Sequence, residues 1–267
     1  MKYLPIDIET APMESFHWSK KAEFISSVFN EQETTIICAA WRKPGKKVEA
    51  VSVADFNKNL TYKSVRKDKG VVKVLGELLT WCADQNIVVV YQNGDRFDLP
   101  KIIGRTVVHR LPPIPRKYLT TVDTLTKGRS LGLDYANLDY RDTVLNGEGK
   151  VETRGWGMWR DIVSKHSTPE KRAKSIREMV RYNKGDILST ERDFERIAPY
   201  IDGLPNVNLW ERTTDHCPTC GSENIVYREK PKLAKTRAYR RMSCNDCGKW
   251  FQETKSIKEY TAAVKAA

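Results

Sequence analysis

The sequence has 267 residues, of which 40% are hydrophobic and 30% charged, which is enough for one sizeable core and a smaller module. Lys and Arg outnumber Asp and Glu by 46 to 34, and the net charge of +12 is typical of a protein that meets a polyanion. No stretch has the roughly 18 consecutive apolar residues of a membrane span, and the first residues lack a leader-peptide pattern. We therefore expect a folded cytoplasmic protein, neither disordered nor held in a membrane.

The first 110 residues have the pattern of an α/β fold. Residues 3–9, 34–42 and 47–53 have the composition of strands, and Pro-Gly-Lys marks a hairpin between the last two. Residues 71–85 repeat apolar side chains at helical spacing, and residues 87–91 form the continuous apolar run of a buried parallel strand. This order predicts a mixed sheet flanked by helices.

The next segment predicts more helix than strand. Residues 97–110 predict a second helix, residues 122–125 lie near the end of a short strand, and residues 168–201 predict a long helix. Residues 125–167 are rich in Gly, Asp, Arg and Trp, which indicates short helices and loops. Residues 202–214 contain Gly and Pro and are predicted to be a linker.

Six cysteines sharpen the class of the C-terminal module. Each of two Cys-x-x-Cys pairs offers two thiolates to one tetrahedral zinc, and four thiolates leave no open position for water, so we predict a structural site. Gly221 and Gly248 follow the two pairs, where a turn often needs a positive φ. Cys38 and Cys82 stand alone and are predicted to be small buried side chains. The predicted zinc ligands are Cys217, Cys220, Cys244 and Cys247.

Acidic side chains stand at the ends of three predicted elements. Asp7 and Glu9 are two apart on the first strand and share one face of the sheet, where a divalent cation would offset their repulsion. Asp98 opens a helix directly after a buried strand, which is where α/β sheets bind ligands. Tyr182 and Asp186 are four apart on one face of the long helix. Taken singly, each group also fits a structural role, as a solvated surface acid or a charge at a helix terminus.

Other positions predict details of the same elements. Pro5 cannot donate a ladder hydrogen bond, so a start at Pro5 is an alternative to the strand predicted over residues 3–9. Asp123 is predicted to cap a helix and is placed outside the metal-binding set. Gly185 within a helix indicates the close approach of a backbone or a ligand. Phe97 and Leu99 are predicted to anchor a helix start in the core.

The three acidic motifs together resemble a known family. Residues 6–10 (IDIET), residues 93–100 (NGDRFDLP) and Tyr-x3-Asp resemble the exonuclease motifs of the DEDD superfamily, in its tyrosine variant. The histidine variant would have His where Arg181 stands. The resemblance covers about residues 3–201 and is shared with the proofreading domains of family B DNA polymerases and with stand-alone phage and bacterial exonucleases. It implies a ribonuclease H-like fold.

The resemblance also implies an activity, a 3′–5′ exonuclease that releases nucleoside 5′-monophosphates from single-stranded DNA ends, with RNA left open. Two Mg²⁺ or Mn²⁺ ions would be bound by its four acids, Tyr182 would orient the attacking water, and Thr10 and Asn93 would contact the terminal nucleotide or the ligands. A phage-encoded protein in its host's cytoplasm is expected by analogy alone. The four acids are Asp7, Glu9, Asp98 and Asp186.

The C-terminal module carries a basic hairpin, for which we predict strand contacts from Arg237, Tyr239 and Arg240. A solvated charge run is the alternative, and a replication or repair protein is an alternative partner. The predicted domains are a nuclease domain (1–201), a linker (202–214) and a zinc ribbon with a tail (215–267). Two other functions stay open: a binding module on the same scaffold, and a structure-specific endonuclease.

Overall fold

The computed structural model describes residues 1–16, 18, 25–149, 151–211, 213 and 215–260, without the side chains of residues 210 and 211. The chain forms two compact units, which are described separately. The sheet unit consists of residues 2–129 and 133–194, and the ribbon unit consists of residue 1, residues 130–132 and the chain from residue 195 onward. The predicted linker and C-terminal tail fall partly outside the described residues, at positions 212, 214 and 261–267.

A five-stranded mixed sheet organises the sheet unit. Its order is β5-β4-β1-β6-β7; β1, β4 and β5 pair antiparallel, whereas β6 runs parallel to β1 and to β7. The fold class predicted from the sequence, an α/β fold with a mixed sheet flanked by helices, is confirmed. The strands are β1 (Tyr3–Thr10), β4 (Ile36–Arg42), β5 (Val48–Ser52), β6 (Val88–Tyr91) and β7 (Thr121–Asp123). A separate two-stranded sheet of β2 (Glu14–Ser15) and β3 (Asn30–Gln32) was not predicted.

The central strands are buried because helices cover the sheet. All four residues of β6 and six of the seven in β4 are buried, as their apolar composition predicted. The strand β1 begins at Tyr3, as predicted for residues 3–9, and not at the alternative start, Pro5. Pro5 pairs with Val90 of β6 and precedes the first pair of the antiparallel ladder with β4, Ile6 and Trp41.

The helices of the sheet unit bury apolar stripes against this sheet. In α1 the buried side chains include Val71, Leu75 and Leu79, at the spacing that predicted the helix. The segment 125–167 forms short helices and loops, as expected. No helix in the described part of the chain is long and apolar enough to span a membrane. The helices are α1 (Lys69–Asp84), α2 (Asp98–Val108), α3 (Thr124–Gly128), α4 (Leu138–Asn146), α5 (Trp156–Val163) and α6 (Pro169–Ile197).

The ribbon unit contains a three-stranded antiparallel sheet of order β10-β9-β8. A short helix lies within the segment predicted to be a linker, and the backbone N–H of Val207 at its start donates to the carbonyl of Pro218 (2.9 Å). The elements are α7 (Val207–Glu211), β8 (Ile225–Leu233), β9 (Ala238–Cys244) and β10 (Trp250–Ser256).

Candidate functional site

Three carboxylates converge at one face of β1. Asp7 and Glu9 point to the same side because strand side chains alternate, while Ile6 and Ile8 are buried on the other side. Asp186, on α6, is only 4% exposed. Among the described residues, Asp7, Glu9 and Asp186 can each offer one oxygen such that all three lie within 4.8 Å of one another. The fold therefore brings together the two ends of the predicted site.

The chemistry of this donor set fits a hard divalent cation. Ionised carboxylates this close together repel each other, and a cation between them removes that cost. Oxygen ligands of this kind are the ones that Mg²⁺ takes. The three residues thus have the composition, the spacing and the partial burial of a metal site.

Asn183 supports the cluster from the same helix. Its side-chain amide donates a hydrogen bond to Oδ2 of Asp7 and is completely buried. The amide oxygen of Asn183 lies 4.0 Å from the Cys38 sulfur, which is also completely buried. Burial raises the pKa of the Cys38 thiol well above its usual value, and the charges of Glu9 and Asp7 raise it further. Asn183 was not predicted from the sequence, although it stands three residues before Asp186 and so on the same helix face.

Asp98 is held beside the same strand without joining the cluster of three. It is the first residue of α2, as predicted, and is only 2% exposed. The β1–β6 ladder ends at Pro5 and Val90, and beyond that end the backbone N–H of Ile8 donates to Oδ1 of Asp98 (3.1 Å). Burial raises the pKa of Asp98 to about 7, and the charge of Asp123 also raises it. Asp98 thus contacts β1 between Asp7 and Glu9.

Asp123 has the capping role that the sequence predicted. Its side chain accepts hydrogen bonds from the N–H groups of Leu125 and Thr126 at the start of α3. It also accepts from the N–H groups of Asn93 (3.0 Å) and Asp95 (3.2 Å). Asn93, a predicted substrate contact, has a φ of 65°, so its backbone adopts the left-handed conformation of a turn. Asp123 therefore fixes the loop that leads into Asp98.

Tyr182 and Gly185 precede Asp186 on α6. The Tyr182 ring is half-buried and meets Trp159 edge to face, with ring centroids 6.3 Å apart. A Cβ at Gly185 would lie 2.4 Å from Cγ2 of Val151, so this glycine admits a neighbouring side chain, whereas the sequence analysis had expected a backbone or a ligand. Thr10 is half-buried at the end of β1, where a bulge separates it from Glu9.

A cleft of about 570 Å³ opens beside the acidic cluster. Asp7 and Asp186 form part of its wall. Asn137 caps α4 by accepting from the N–H of Tyr140 (2.8 Å). The remaining wall residues had no role predicted from the sequence and come from the end of β6 and the starts of α3 and α4: Gln92, Leu125, Asn137, Leu138 and Asp139.

A buried ion pair lies behind Gln92. The Arg141 guanidinium donates to Oε1 of Gln92 (2.8 Å), to the carbonyl of Thr124 (2.8 Å) and to the carboxylate of Asp193. Arg141 and Asp193 are both fully buried. Burial raises the pKa of Asp193 to about 6, and the Arg141 charge opposes that rise. Gln92 in turn donates to the carbonyl of Ala136 (2.9 Å), so this network connects the wall of the cleft to the core.

Phe97 and Leu99 differ in their environments. Leu99 is buried as predicted, but Phe97 is 41% exposed, so its predicted place in the core was wrong. The Phe97 side chain instead lines a groove of about 620 Å³ together with Arg96 and Lys101. The difference arises because Phe97 precedes the first turn of α2, outside the apolar stripe of that helix.

The four predicted zinc ligands form a second cluster, in the ribbon unit. Each can offer a sulfur such that all four lie within 4.8 Å of one another. The sulfurs of Cys217 and Cys247, and those of Cys220 and Cys244, are 3.6 Å apart. A tetrahedral site with Zn–S bonds of about 2.3 Å has sulfurs at about this separation, so the four thiols fit zinc.

The two cysteine pairs are built by matching turns. Gly221 donates its backbone N–H to the carbonyl of Cys217 (2.9 Å), and Gly248 donates to the carbonyl of Cys244 (3.0 Å). The two glycines have φ values of 82° and 77°, as their positions predicted. Each local turn therefore presents two sulfurs to one point.

The predicted contacts of the basic hairpin are dispersed. Arg237 is exposed in the turn between β8 and β9, and its carbonyl accepts from the N–H of Ala234 (2.8 Å). Tyr239 is half-buried on β9 and pairs with Lys232, and Arg240 is exposed beside it. The described register therefore turns Tyr239 and Arg240 to opposite faces of the ribbon.

No protein-family model matches the sequence, and no curated protein matches it either. The structure is similar to that of the family B DNA polymerase from the hyperthermophilic archaeon Pyrobaculum calidifontis, with a TM-score of 0.51 and 15% sequence identity. The similarity covers 74% of this chain and 24% of that polymerase chain, so the chain spans about a quarter of the polymerase's length. At this identity the likeness is one of fold.

Proposed function

We propose that this protein is a metal-dependent 3′–5′ exonuclease acting on single-stranded DNA ends. The observation that carries the proposal is the convergence of Asp7, Glu9 and Asp186 beside an open cleft. The fold shared with a DNA polymerase and the net charge of +12 support a nucleic-acid substrate. The order of the three acidic motifs along the sequence supports the reaction.

The chain's own residues would position the reacting groups. Asp7, Glu9, Asp98 and Asp186 would bind Mg²⁺ or Mn²⁺, with Asp7 oriented by Asn183. Two such ions, when bound, activate a water and stabilise the leaving 3′-oxygen of an in-line displacement. Tyr182 would orient the water by hydrogen bonding, since a phenol with a pKa near 10 is a poor base at neutral pH.

Each part of the chain would have its own role in binding the substrate. A nuclease domain of residues 1–201 would bind the terminal nucleotide, with Thr10 and Asn93 near it. Residues 202–214 would link it to a zinc ribbon of residues 215–267 that binds the strand. The exposed Phe97 with Arg96 and Lys101 offers a ring and two cations next to the start of the helix that carries Asp98.

The test compares linear and circular single-stranded DNA of the same sequence. The linear strand carries a 5′ label, and both are incubated with Mg²⁺, with Mn²⁺ or without divalent cation. We expect a metal-dependent ladder that shortens from the 3′ end, with the circle intact. Cleavage of the circle would identify an endonuclease instead, and intact but bound DNA under every condition would identify a binding module.

A further inference from the structure

The register of the ribbon sheet sorts its side chains onto two faces. Trp250 pairs with Ser243, which pairs on its other side with Val226. Two residues along, Gln252, Arg241 and Arg228 form the next row on the same face, because strand side chains alternate. The intervening row belongs to the opposite face and contains Phe251, Met242 and Tyr227.

The opposite face is partly covered within the ribbon unit. Met242 is buried and Phe251 half-buried there, and both line a cavity of about 370 Å³ together with His216 and Pro218. Trp250, by contrast, is 55% exposed. We call the face that carries Trp250, Arg228 and Arg241 the Trp–Arg face.

Both guanidinium groups of the Trp–Arg face are held in place. Arg228 has its Cζ 4.6 Å from the centroid of the Trp250 ring and donates a hydrogen bond to Oγ of Ser243 (2.5 Å). Arg241 has its Cζ 5.8 Å from the same centroid, and its Nε donates to the carbonyl of Lys230 (2.6 Å). Each group keeps further N–H donors, since a guanidinium has five. Two cations are therefore fixed beside one exposed aromatic ring.

The positive charge of the Trp–Arg face favours an anionic ligand. Its two rows contain two arginines and no acid. A guanidinium binds phosphate oxygens through paired N–H groups, and an indole ring stacks on any unpaired base. A single nucleic-acid strand offers both partners at the spacing of one nucleotide, whereas a duplex hides its base faces.

We propose that the Trp–Arg face binds single-stranded nucleic acid, with a base stacked on Trp250 and the neighbouring phosphates on Arg228 and Arg241. The inference depends on the proposed function only for the choice of DNA as the probe. It differs from the sequence prediction, which had selected Arg237, Tyr239 and Arg240. Because Arg240 and Arg241 are adjacent on β9, they lie on opposite faces, and this pair separates the two assignments.

The test measures binding in the full-length Asp186→Asn protein, so that cleavage does not intervene. The probe is a fluorescein-labelled oligothymidylate of about 20 nucleotides, longer than the site size of a single small module, followed by anisotropy at several salt concentrations. We expect Trp250→Ala to weaken binding roughly 5- to 100-fold through the lost stacking. Arg241→Ala should weaken binding of the oligonucleotide, and the slope of log affinity against log salt concentration should fall by about one released counterion.

Two variants complete the design. Tyr227→Ala removes a ring of similar exposure, 52%, from the opposite face and should leave binding unchanged. Arg240→Ala should weaken binding less than Arg241→Ala does. Zinc content is measured for every variant, and if Trp250→Ala has lost zinc, the comparison of Arg240 with Arg241 decides the outcome.

Three results would overturn the proposal: wild-type affinity in a zinc-loaded Trp250→Ala protein, equal losses in Arg240→Ala and Arg241→Ala, or no binding of the strand by the parent protein. Wild-type affinity in the zinc-loaded Trp250→Ala protein would indicate that the ring only holds the arginines in place. No binding by the parent protein would indicate that the ligand of this face is a protein. Failure of the nuclease assay with this binding intact would reject the enzyme and not the surface.

Discussion

The acidic cluster and the cysteine cluster are assembled in different ways. Asp7 and Asp186 come from the first strand and the last helix of the sheet unit and meet only when the sheet and helix pack. The four cysteines come from two local turns, each closed by one backbone hydrogen bond to a glycine. The spacing of residues along the sequence predicts a site built from local turns. A site built from distant elements forms only when the core that joins those elements has packed.

Asp186→Asn should have the largest effect, on activity alone. Asparagine keeps the size of the side chain but lacks the charge that a hard cation needs. Loss of metal stabilisation worth several kcal/mol should slow nucleotide release roughly 10²- to 10⁴-fold. The melting temperature should stay the same or rise, because one of three repelling carboxylates is gone. Initial rates and thermal unfolding measure both.

The matched control for that variant is Asp84→Asn, an exposed acid at the end of α1. It should leave both rate and melting temperature near those of the wild type. A rate for Asp186→Asn equal to that of this control would contradict the assignment of the acidic cluster.

Cys244→Ser should abolish zinc retention and unfold the ribbon locally, because apparent zinc binding in small Cys-rich modules is worth about 10–16 kcal/mol. The acids belong to the sheet unit, so release at saturating DNA should continue while KM rises. Zinc analysis and steady-state kinetics check this. Cys82→Ser, at a buried lone cysteine, should keep the zinc. A full zinc content in the Cys244→Ser protein would contradict the assignment of the four cysteines as zinc ligands.

Gly128→Ala should destabilise the sheet unit. A Cβ there would lie 1.7 Å from Nη1 of Arg141, whose guanidinium is fixed by Gln92, Thr124 and Asp193. Displacing a buried charge from its partner costs about 3–5 kcal/mol. Urea unfolding measures the change.

Gly104→Ala is the control for that variant, because a Cβ at this position in α2 meets no atom within 4 Å. It should stabilise the protein by roughly 0.5–1 kcal/mol through helix propensity. Equal effects of the two alanines would show that the Arg141 network has no role in stability.

Asp68→Asn should give a smaller, pH-dependent loss. Burial acts to raise the pKa of Asp68, but hydrogen bonds from Arg105, from the N–H of Ile36 and from His109 hold it below its ordinary value. A carboxyl whose folded pKa is lowered stabilises above its unfolded pKa, near 3.9, and loses that contribution as pH falls. We expect a loss of about 2 kcal/mol at pH 7.

The difference between wild-type and Asp68→Asn unfolding energies should shrink as pH falls below about 4. Denaturant titrations across pH measure it. A constant difference between pH 7 and pH 3 would show that the ionisation of Asp68 contributes nothing.

The sequence predicted the elements that repeat a regular pattern. The strand positions 87–91, the long helix and the two glycine turns at the cysteines are all observed, because alternation, helical spacing and turn chemistry act over a few residues. The N-terminal cap at Asp123 was predicted for the same reason.

The sequence did not predict the long-range polar contacts. The Nε2 of His109 lies 2.6 Å from Oδ1 of Asp68, 41 positions away. Asn183 contacts Asp7 across 176 positions, and Arg141 contacts Asp193 across 52. Such pairs are set by which faces of helix and sheet meet. The same reason explains why Trp156 at the start of α5 is largely exposed, whereas Trp159 on the same helix meets Tyr182.

The most direct measurement is the length distribution of a 5′-labelled single-stranded DNA treated with Asp7→Asn protein in Mg²⁺, beside the wild type and Asp84→Asn. We expect a ladder that shortens from the 3′ end with the wild type and with Asp84→Asn, and intact DNA with Asp7→Asn. An unchanged ladder with a folded Asp7→Asn protein would contradict the claim that the carboxylates of β1 and α6 form the catalytic centre.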